Sequence, residues 1–289
     1  MGRVFSYQEI ETGQVPNQET FKLAKSLFAG LVEVNIGSGY LDGSFIYGSV
    51  AIDTANIRSD FDSFIALRDG KYESYRAAKE IIQCLLSETG HTIPVLPIVQ
   101  TKEALVTGRH EIDRFFGQHL RSNYRIIQGN DPATYITFRE QSAGDILATY
   151  LFQKKRRLAN AYTSADPLNV VEGGLQRMLE LPSAIGRKAL QALTEIGLMP
   201  KVVEKSADKV AVLGKSRQLM EDYGLLDGFD RLVRVNQSYD DLLADTLKGR
   251  VDQNSYEDGI KSLHAELPYA INWIEEVELA LIPQDTQTH

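Results

Sequence analysis

The chain has 289 residues, of which 43% are hydrophobic and 24% are charged, a balance typical of a globular protein with one or two domains. Its single cysteine, Cys84, excludes an intramolecular disulfide and a cysteine-based zinc site. The polar start of the chain and the lack of a run of ~20 apolar residues argue against a signal peptide and a membrane span. We therefore expect a cytoplasmic protein with no membrane partner.

Net charge differs strongly between parts of the chain. Residues 1–140 carry a net charge of −3, residues 141–220 carry +5 and residues 221–289 carry −10, which gives −8 in all. Such asymmetry is found where a surface binds a partner of opposite charge, and also where acidic and basic helices of one bundle face each other. Both interpretations remain open at this point.

Helix and strand signals alternate in the first half of the chain. In chain order, the predicted elements are a helix over 18–34, strands over 45–50 and 60–67, a helix over 72–88, a strand over 92–99, and a strand or turn within 124–138. Pro94 and Pro97 place the third strand at a sheet edge, because proline has no N–H to donate to a neighbouring strand.

Beyond about residue 140 the strand signals fade and every apolar pattern has helical spacing. We therefore predict an α+β fold, with a small mixed sheet and its helices over 1–140. An all-helical C-terminal domain for substrate binding or interaction is predicted over 141–289.

The second predicted strand contains two acids, Asp60 and Asp62, among apolar residues. Residues at positions i and i+2 of a strand point to the same face, so the two carboxylates lie side by side. Their mutual repulsion is relieved by a divalent cation, and Mg²⁺ is commonly held by one or two carboxylates together with substrate phosphates. The pair therefore predicts a metal site.

A Gly-Ser pair, Gly48 and Ser49, ends the first predicted strand. A turn of this kind exposes backbone N–H groups and a hydroxyl, which suit phosphate oxygens. The sequence thus places a predicted phosphate-binding turn eleven positions before the acidic pair.

The order of strand, Gly-Ser, ten residues and Asp-x-Asp resembles the nucleotidyltransferase superfamily, which has the polymerase-β-like fold. The resemblance rests on "YGS" (47–49) and "SDFDSFI" (59–65). It implies a small mixed nucleotidyltransferase sheet and transfer of a nucleoside monophosphate from a nucleoside triphosphate, expected to be ATP, to a hydroxyl. It also implies that Asp60 and Asp62 are catalytic and hold two Mg²⁺ ions when the triphosphate is bound, and that Gly48 and Ser49 bind the nucleotide.

One feature departs from the family pattern, in which a later strand usually supplies a third carboxylate. The corresponding run here, "TIPVLPIV" (92–99), contains no acid. Glu103, Glu111 and Asp113 follow it and are the candidates for a third metal ligand. The alternatives are a site with two acids and a protein that has lost catalysis.

The acceptor is predicted from charge and layout. A catalytic domain followed by an acidic helical domain is similar in layout to the antibiotic nucleotidyltransferases, which implies a small acceptor such as an aminoglycoside or lincosamide. A region of net charge −10 attracts a polycationic molecule and repels a nucleic acid. The alternatives are a tRNA- or protein-modifying enzyme of the toxin–antitoxin type and a catalytically inactive nucleotide-binding protein.

Two further groups carry functional interpretations. His110 is a candidate general base, although a surface or capping histidine is the more common case. Lys154, Lys155, Arg156 and Arg157 form a basic run that suits nucleic-acid phosphates, although a solvated helix face is again more common.

Overall fold

The structure, a computed structural model, describes residues 3–122, 124–164, 174–198 and 209–282. Internal contacts divide the chain into two units. The sheet unit is Gly13–Glu140, and the helical unit combines Met1–Thr12 with Gln141–His289. The first twelve residues thus group with the helical unit, whereas the sequence analysis placed them with residues 13–140.

The described residues form the following elements. They are α1 (Tyr7–Glu11), α2 (Gln18–Gly37), β1 (Leu41–Tyr47), α3 (Gly48–Ala51), β2 (Phe61–Leu67), α4 (Tyr72–Glu88), β3 (Val95–Thr101), α5 (Lys102–Thr107), α6 (Arg114–Ser122), β4 (Tyr124–Gly129), a 3₁₀ turn (Pro132–Thr134), α7 (Ala143–Ser164), α8 (Gly174–Leu179), α9 (Leu181–Glu195), α10 (Lys209–Asp222), α11 (Leu226–Leu247), α12 (Gln253–His264) and α13 (Leu267–Leu281).

The four strands form one mixed sheet in the order β3-β2-β1-β4. Strand β1 runs antiparallel to β2 and β4, and β2 runs parallel to β3. Strand β3 lies at an edge as predicted, where Pro97 pairs on one side only and its missing N–H is tolerated. The predicted α+β class, a small mixed sheet followed by a helical region, is confirmed.

Both faces of the sheet are covered, so β1 is buried at every residue. On one face Phe61 packs edge-on against Phe28 of α2, with ring centroids 5.5 Å apart. On the other face Phe45 and Phe64 stack at 4.6 Å and contact Leu105 and Leu120 among others. Asp62 lies two positions before Phe64 in β2, so its side chain points to the same face of the sheet as Phe45 and Phe64.

The helical unit is built on large buried side chains, among them Trp273, Tyr239 and Tyr256. Two of these tyrosines also hold the first segment of the chain. The Phe5 N–H donates to the Tyr239 hydroxyl at 2.9 Å, and the Tyr256 hydroxyl donates to the Phe5 carbonyl at 2.6 Å. This explains why residues before Thr12 group with helices that come more than 200 positions later.

Acidic and basic helices of this unit pair with each other. The pairs between helices are Lys155 with Glu275 (3.5 Å) and Glu278 (3.3 Å), Arg217 with Asp230 (2.9 Å), and Arg231 with Glu266 (2.7 Å). The charge asymmetry of the sequence is thus partly balanced inside the unit. Among the helices described, none combines the length and apolar character needed to cross a membrane.

Candidate functional site

The Gly-Ser turn and the acidic pair meet at one end of the β1–β2 hairpin. Gly48 directly follows β1 with a φ of +71°, a conformation that favours glycine. A Cβ at Gly48 would lie 2.7 Å from Oδ2 of Asp62, so the absence of a side chain there lets the backbone approach this carboxylate closely. The structure therefore brings together residues that the sequence separates by fourteen positions.

Asp60 enters the site from a loop that is held by its own hydrogen bonds. The Asn56 N–H donates to the Ser59 Oγ at 2.9 Å, and the Ser59 N–H donates to the Asn56 carbonyl at 2.8 Å. Asp60 follows this turn and is buried, with 4% of its surface exposed, whereas Asp62 lies in β2 and is half-buried. A buried and a half-buried carboxylate therefore belong to this end of the sheet.

The phenol of Tyr47 is affected by the charges of both aspartates. Burial raises its pKa well above the ordinary value of 10.0, and the carboxylates of Asp62 and Asp60 raise it further. Both acids therefore act electrostatically on the last side chain of β1. A cation placed among these groups would be stabilised by the same field.

The neighbouring strand supplies no third carboxylate. Asp62 pairs with Leu96 of β3, and the whole of β3 reads Val-Leu-Pro-Ile-Val-Gln-Thr. In the described ranges, no group of three or more His, Cys, Asp or Glu side chains is arranged to hold a metal ion. The site as described thus contains two acids.

The three acids considered as a third ligand lie elsewhere in the unit. Glu103 lies in the first turn of α5 and is exposed, and Glu111 is exposed in the following loop. Asp113 accepts a hydrogen bond from the Phe116 N–H at 2.9 Å, which is the typical role of an aspartate at a helix start. None of the three joins Asp60 and Asp62 in a metal-binding cluster of described residues.

Comparison with known families bears directly on this arrangement. Residues 40–116 match a family model described as a nucleotidyltransferase domain, and the match includes the Gly-Ser turn and both aspartates. The chain contains a nucleotidyltransferase domain. No curated protein matches the sequence.

Within the nucleotidyltransferase domain, His110 joins two parts of a loop. Its Nδ1 accepts from the Ile112 N–H at 3.2 Å, and its Nε2 lies 3.0 Å from the Thr137 carbonyl, to which it donates. Both ring nitrogens are engaged by backbone, and burial lowers the pKa of the ring below its ordinary value of 6.5. This geometry favours the structural interpretation of His110 over that of a general base.

The basic run lies outside the nucleotidyltransferase domain, on α7 of the helical unit. Lys155 pairs with two glutamates of α13, Lys154 lies 5.4 Å from the ring centroid of Tyr150, and Arg156 lies 5.9 Å from that of Phe152. Of these contacts only those of Lys155 reach another helix, which favours a helix-packing role for that residue, whereas Arg156 and Arg157 are exposed.

Tyr47 belongs to the first predicted strand, and the sequence indicates no role for its side chain. Tyr47 is the last residue of β1 and lies beside Asp62 because Ile46 pairs with Ser63. That pairing register is a long-range property, so the signal in the sequence was limited to the position of Tyr47 directly before Gly48.

Proposed function

We propose that the chain transfers a nucleoside monophosphate from a nucleoside triphosphate, with ATP as the expected donor, to a hydroxyl acceptor. The observation that carries this proposal is the close approach of Gly48 to Asp62, at a turn whose conformation excludes a side chain. It brings Gly48 of the predicted phosphate-binding turn, Gly48 and Ser49, close to Asp62 of the predicted metal-binding pair, Asp60 and Asp62. The match to a nucleotidyltransferase domain supports the same reaction class.

The donor set of the site fits Mg²⁺. Asp60 and Asp62 provide hard carboxylate oxygens, and phosphate oxygens and water complete the coordination that Mg²⁺ prefers. Two carboxylates fill only some of the coordination positions of the metal, and the triphosphate is expected to fill others. We therefore expect the metal, up to two ions, to bind more tightly with nucleotide than without it. When bound, the metal supplies neutralisation of phosphate charge.

The residues of the chain then act mainly by positioning. The acceptor oxygen forms a bond to the α-phosphorus, the bond between this phosphorus and the pyrophosphate oxygen breaks, and the hydroxyl proton is released to solvent. Backbone at Gly48 and the Ser49 hydroxyl are proposed to hold the phosphate tail in line for this displacement.

We propose a cationic small molecule, such as an aminoglycoside, as the acceptor. The support is the net charge of −10 over residues 221–289. Every acidic side chain described in this range is exposed or half-buried, so these charges are accessible to a molecule in solution. A polycation is attracted by such a surface, whereas the phosphates of an RNA are repelled by it. Modification of a lincosamide, tRNA or protein remains among the outcomes of the test.

One observation favours a second candidate, a protein that binds nucleotide without transferring it. Leu96 pairs with Asp62 in β3, and the described residues offer no third acid. Such a protein would bind Mg²⁺ and a triphosphate and turn nothing over.

The deciding experiment uses each of the four α-labelled triphosphates with Mg²⁺ or Mn²⁺ and pools of antibiotics, tRNA and protein. We expect label on a cationic small molecule. Label on tRNA or protein contradicts the proposed acceptor, and binding of triphosphate without any labelled product supports the second candidate.

The double variant Asp60→Asn/Asp62→Asn tests the site itself. It should lose transfer and most of the rise in melting temperature that Mg²⁺ with triphosphate gives the wild type. Without ligand it should remain folded, because asparagine keeps the shape of each side chain and removes the repulsion between the two carboxylates. Asp69→Asn, a change to a carboxylate that binds Ser74 Oγ at 2.7 Å, is the matched control and should keep the ligand-induced rise.

A further inference from the structure

Tyr47 is fixed beside the acidic pair by aromatic packing. Its side chain is buried, and its ring meets those of Phe45 and Phe116 edge-on, with centroids 6.2 Å and 6.1 Å away. Edge-to-face contacts of this kind restrict the orientation of a ring. The phenol oxygen is therefore held in place before any ligand arrives.

The register of the hairpin sets the direction of this side chain. Phe45 pairs with Phe64, and the two rings stack on one face of the sheet. Tyr47 and Asp62 lie two positions further along β1 and two positions earlier in β2, so both point to that same face. The raised pKa of the phenol, caused partly by Asp62 and Asp60, agrees with this placement.

Two other tyrosines that pack against the same core cluster, Tyr124 and Tyr135, use their hydroxyls within the fold. The Tyr124 hydroxyl donates to Asp131 at 2.7 Å, and the Tyr135 hydroxyl donates to Asp42 at 2.7 Å. Both therefore have structural acceptors within the unit. The Tyr47 side chain instead shares a face of the hairpin with Asp62, and both Asp62 and Asp60 act on its phenol electrostatically.

A hydrogen-bond donor at this position would suit the phosphate oxygens of a bound triphosphate. A triphosphate brings several charged oxygens to a site in which Asp60 and Asp62 are acceptors only, and the donors proposed so far are the Ser49 hydroxyl and the Gly48 backbone. A phenol that stays protonated at neutral pH donates a hydrogen bond without adding charge. Hydrogen bonds to charged groups are among the stronger ones.

We propose that Tyr47 is a ligand-binding residue of this site and donates a hydrogen bond from its phenol to a phosphate oxygen of the bound nucleoside triphosphate. This inference rests on the proposed function, because it takes a triphosphate as the ligand. It adds a recognition group that lies outside the Gly-Ser and Asp-x-Asp residues.

Calorimetric titration of the full chain with ATP and Mg²⁺ tests it, using GTP, CTP or UTP if ATP does not bind. Tyr47→Phe keeps the ring and removes the hydroxyl, and its Kd for the triphosphate should rise about tenfold or more. Mn²⁺ titrated alone should bind the variant and the wild type equally, because the hydrogen bond goes to phosphate and not to the metal.

Tyr124→Phe is the matched control, because Tyr124 contacts the same Phe45 ring, with centroids 5.2 Å apart. It should lose thermal stability with its bond to Asp131 and keep the wild-type Kd for triphosphate. An unchanged Kd in Tyr47→Phe, with or without a lower melting temperature, overturns the inference.

Its failure is separable from that of the proposed function. A wild type that binds triphosphate, loses that binding in Tyr47→Phe and yet labels no acceptor supports the Tyr47 inference and contradicts the transfer reaction. A wild type that binds none of the four triphosphates overturns both.

Discussion

At the residue scale, the position of Gly48 favours glycine for two separate reasons, one conformational and one steric. Its φ of +71° is unfavourable for other residues, and the space that a Cβ would take is occupied by the Asp62 carboxylate. Backbone strain and a steric clash have different consequences, because strain lowers stability whereas displacement of Asp62 changes the site. A second glycine in the unit allows the two to be separated.

We predict that Gly48→Ala abolishes the rise in melting temperature given by Mg²⁺ with ATP, because its methyl group displaces Asp62. Gly90 has a φ of +61° and no atoms near its Cβ position. Gly90→Ala should therefore show only the strain, about 1–2 kcal/mol of stability, and keep the ligand-induced rise. Equal ligand responses in the two variants would contradict the steric argument.

The second residue-scale prediction concerns His264, at the end of α12. Its side chain is buried, its Nε2 has no hydrogen-bond partner among the described residues, and burial lowers its pKa below 6.5. The unfolded chain therefore takes up a proton at a higher pH than the folded chain. The stability contributed by neutral His264 is complete above pH 6.5 and is lost as the pH falls through that value toward the lower folded pKa.

Urea unfolding followed by the fluorescence of Trp273, the single tryptophan of the chain, measures this in the helical unit. Between pH 7.5 and 5.5 the free energy of unfolding should fall more steeply for the wild type than for His264→Gln, which does not titrate. The control His91→Gln, an exposed position of the sheet unit, should follow the wild type. Parallel pH profiles for wild type and His264→Gln would show that His264 is not the group responsible.

At the element scale, two helical glycines differ in what surrounds them. A Cβ at Gly228 of α11 would lie 2.1 Å from Cδ1 of Trp273, whereas a Cβ at Gly214 of α10 would meet nothing within 4 Å. We predict that Gly228→Ala lowers the stability of the helical unit by about 1–3 kcal/mol through overpacking. Gly214→Ala should raise it by about 0.5–1 kcal/mol through better helix propensity.

Denaturant midpoints measured by circular dichroism check both variants together. Opposite signs are expected for the same chemical change, which makes each variant the control of the other. A Gly228→Ala variant as stable as the wild type would mean that Trp273 moves aside at no cost.

Elements with strong local signals were the ones that the sequence predicted well. The helix over 72–88 has the predicted bounds, because its apolar residues repeat at helical spacing without interruption. Strand β1 begins at Leu41 instead of residue 45, because Asp42 is buried by bonds to Lys102, Asn130 and Tyr135. Those partners are 60 to 93 positions away, and no local pattern indicates them.

The same distinction applies to the candidate site. Gly48 and Asp62 meet because they end and begin the two strands of one hairpin, and this follows from local spacing. The identity of the residue beside Asp62 in β3 depends on the register of a parallel pair, which periodicity does not set. The sequence therefore indicated the missing third acid but not that Leu96 takes the position, nor that Tyr47 shares the face.

At the scale of the whole molecule, we expect surface charge to change the KM for the acceptor more than it changes kcat. If the acceptor is a polycation, its KM should rise with salt, because exposed charges are screened beyond ~8 Å at physiological ionic strength. Changing exposed Glu221, Asp227 and Glu276 to lysine should raise KM several-fold at low salt and leave kcat nearly unchanged.

The matched control reverses three exposed acids of the sheet unit, Glu33, Glu73 and Glu88. It makes the same change in net charge, so a smaller effect on KM would locate the attraction in the helical unit. A KM that is independent of salt for a confirmed cationic acceptor would rule out electrostatic attraction.

The attachment of Phe5 to Tyr239 and Tyr256 has a consequence during synthesis. These partners lie 234 and 251 positions further along the chain, so at ~5–20 residues per second the ribosome needs on the order of ten to fifty seconds to deliver them. Residues 13–140 are complete long before that. The nascent chain therefore contains the whole sheet unit while Phe5 still lacks its partners. During this interval Phe5, which is fully buried in the folded protein, is accessible to chaperones.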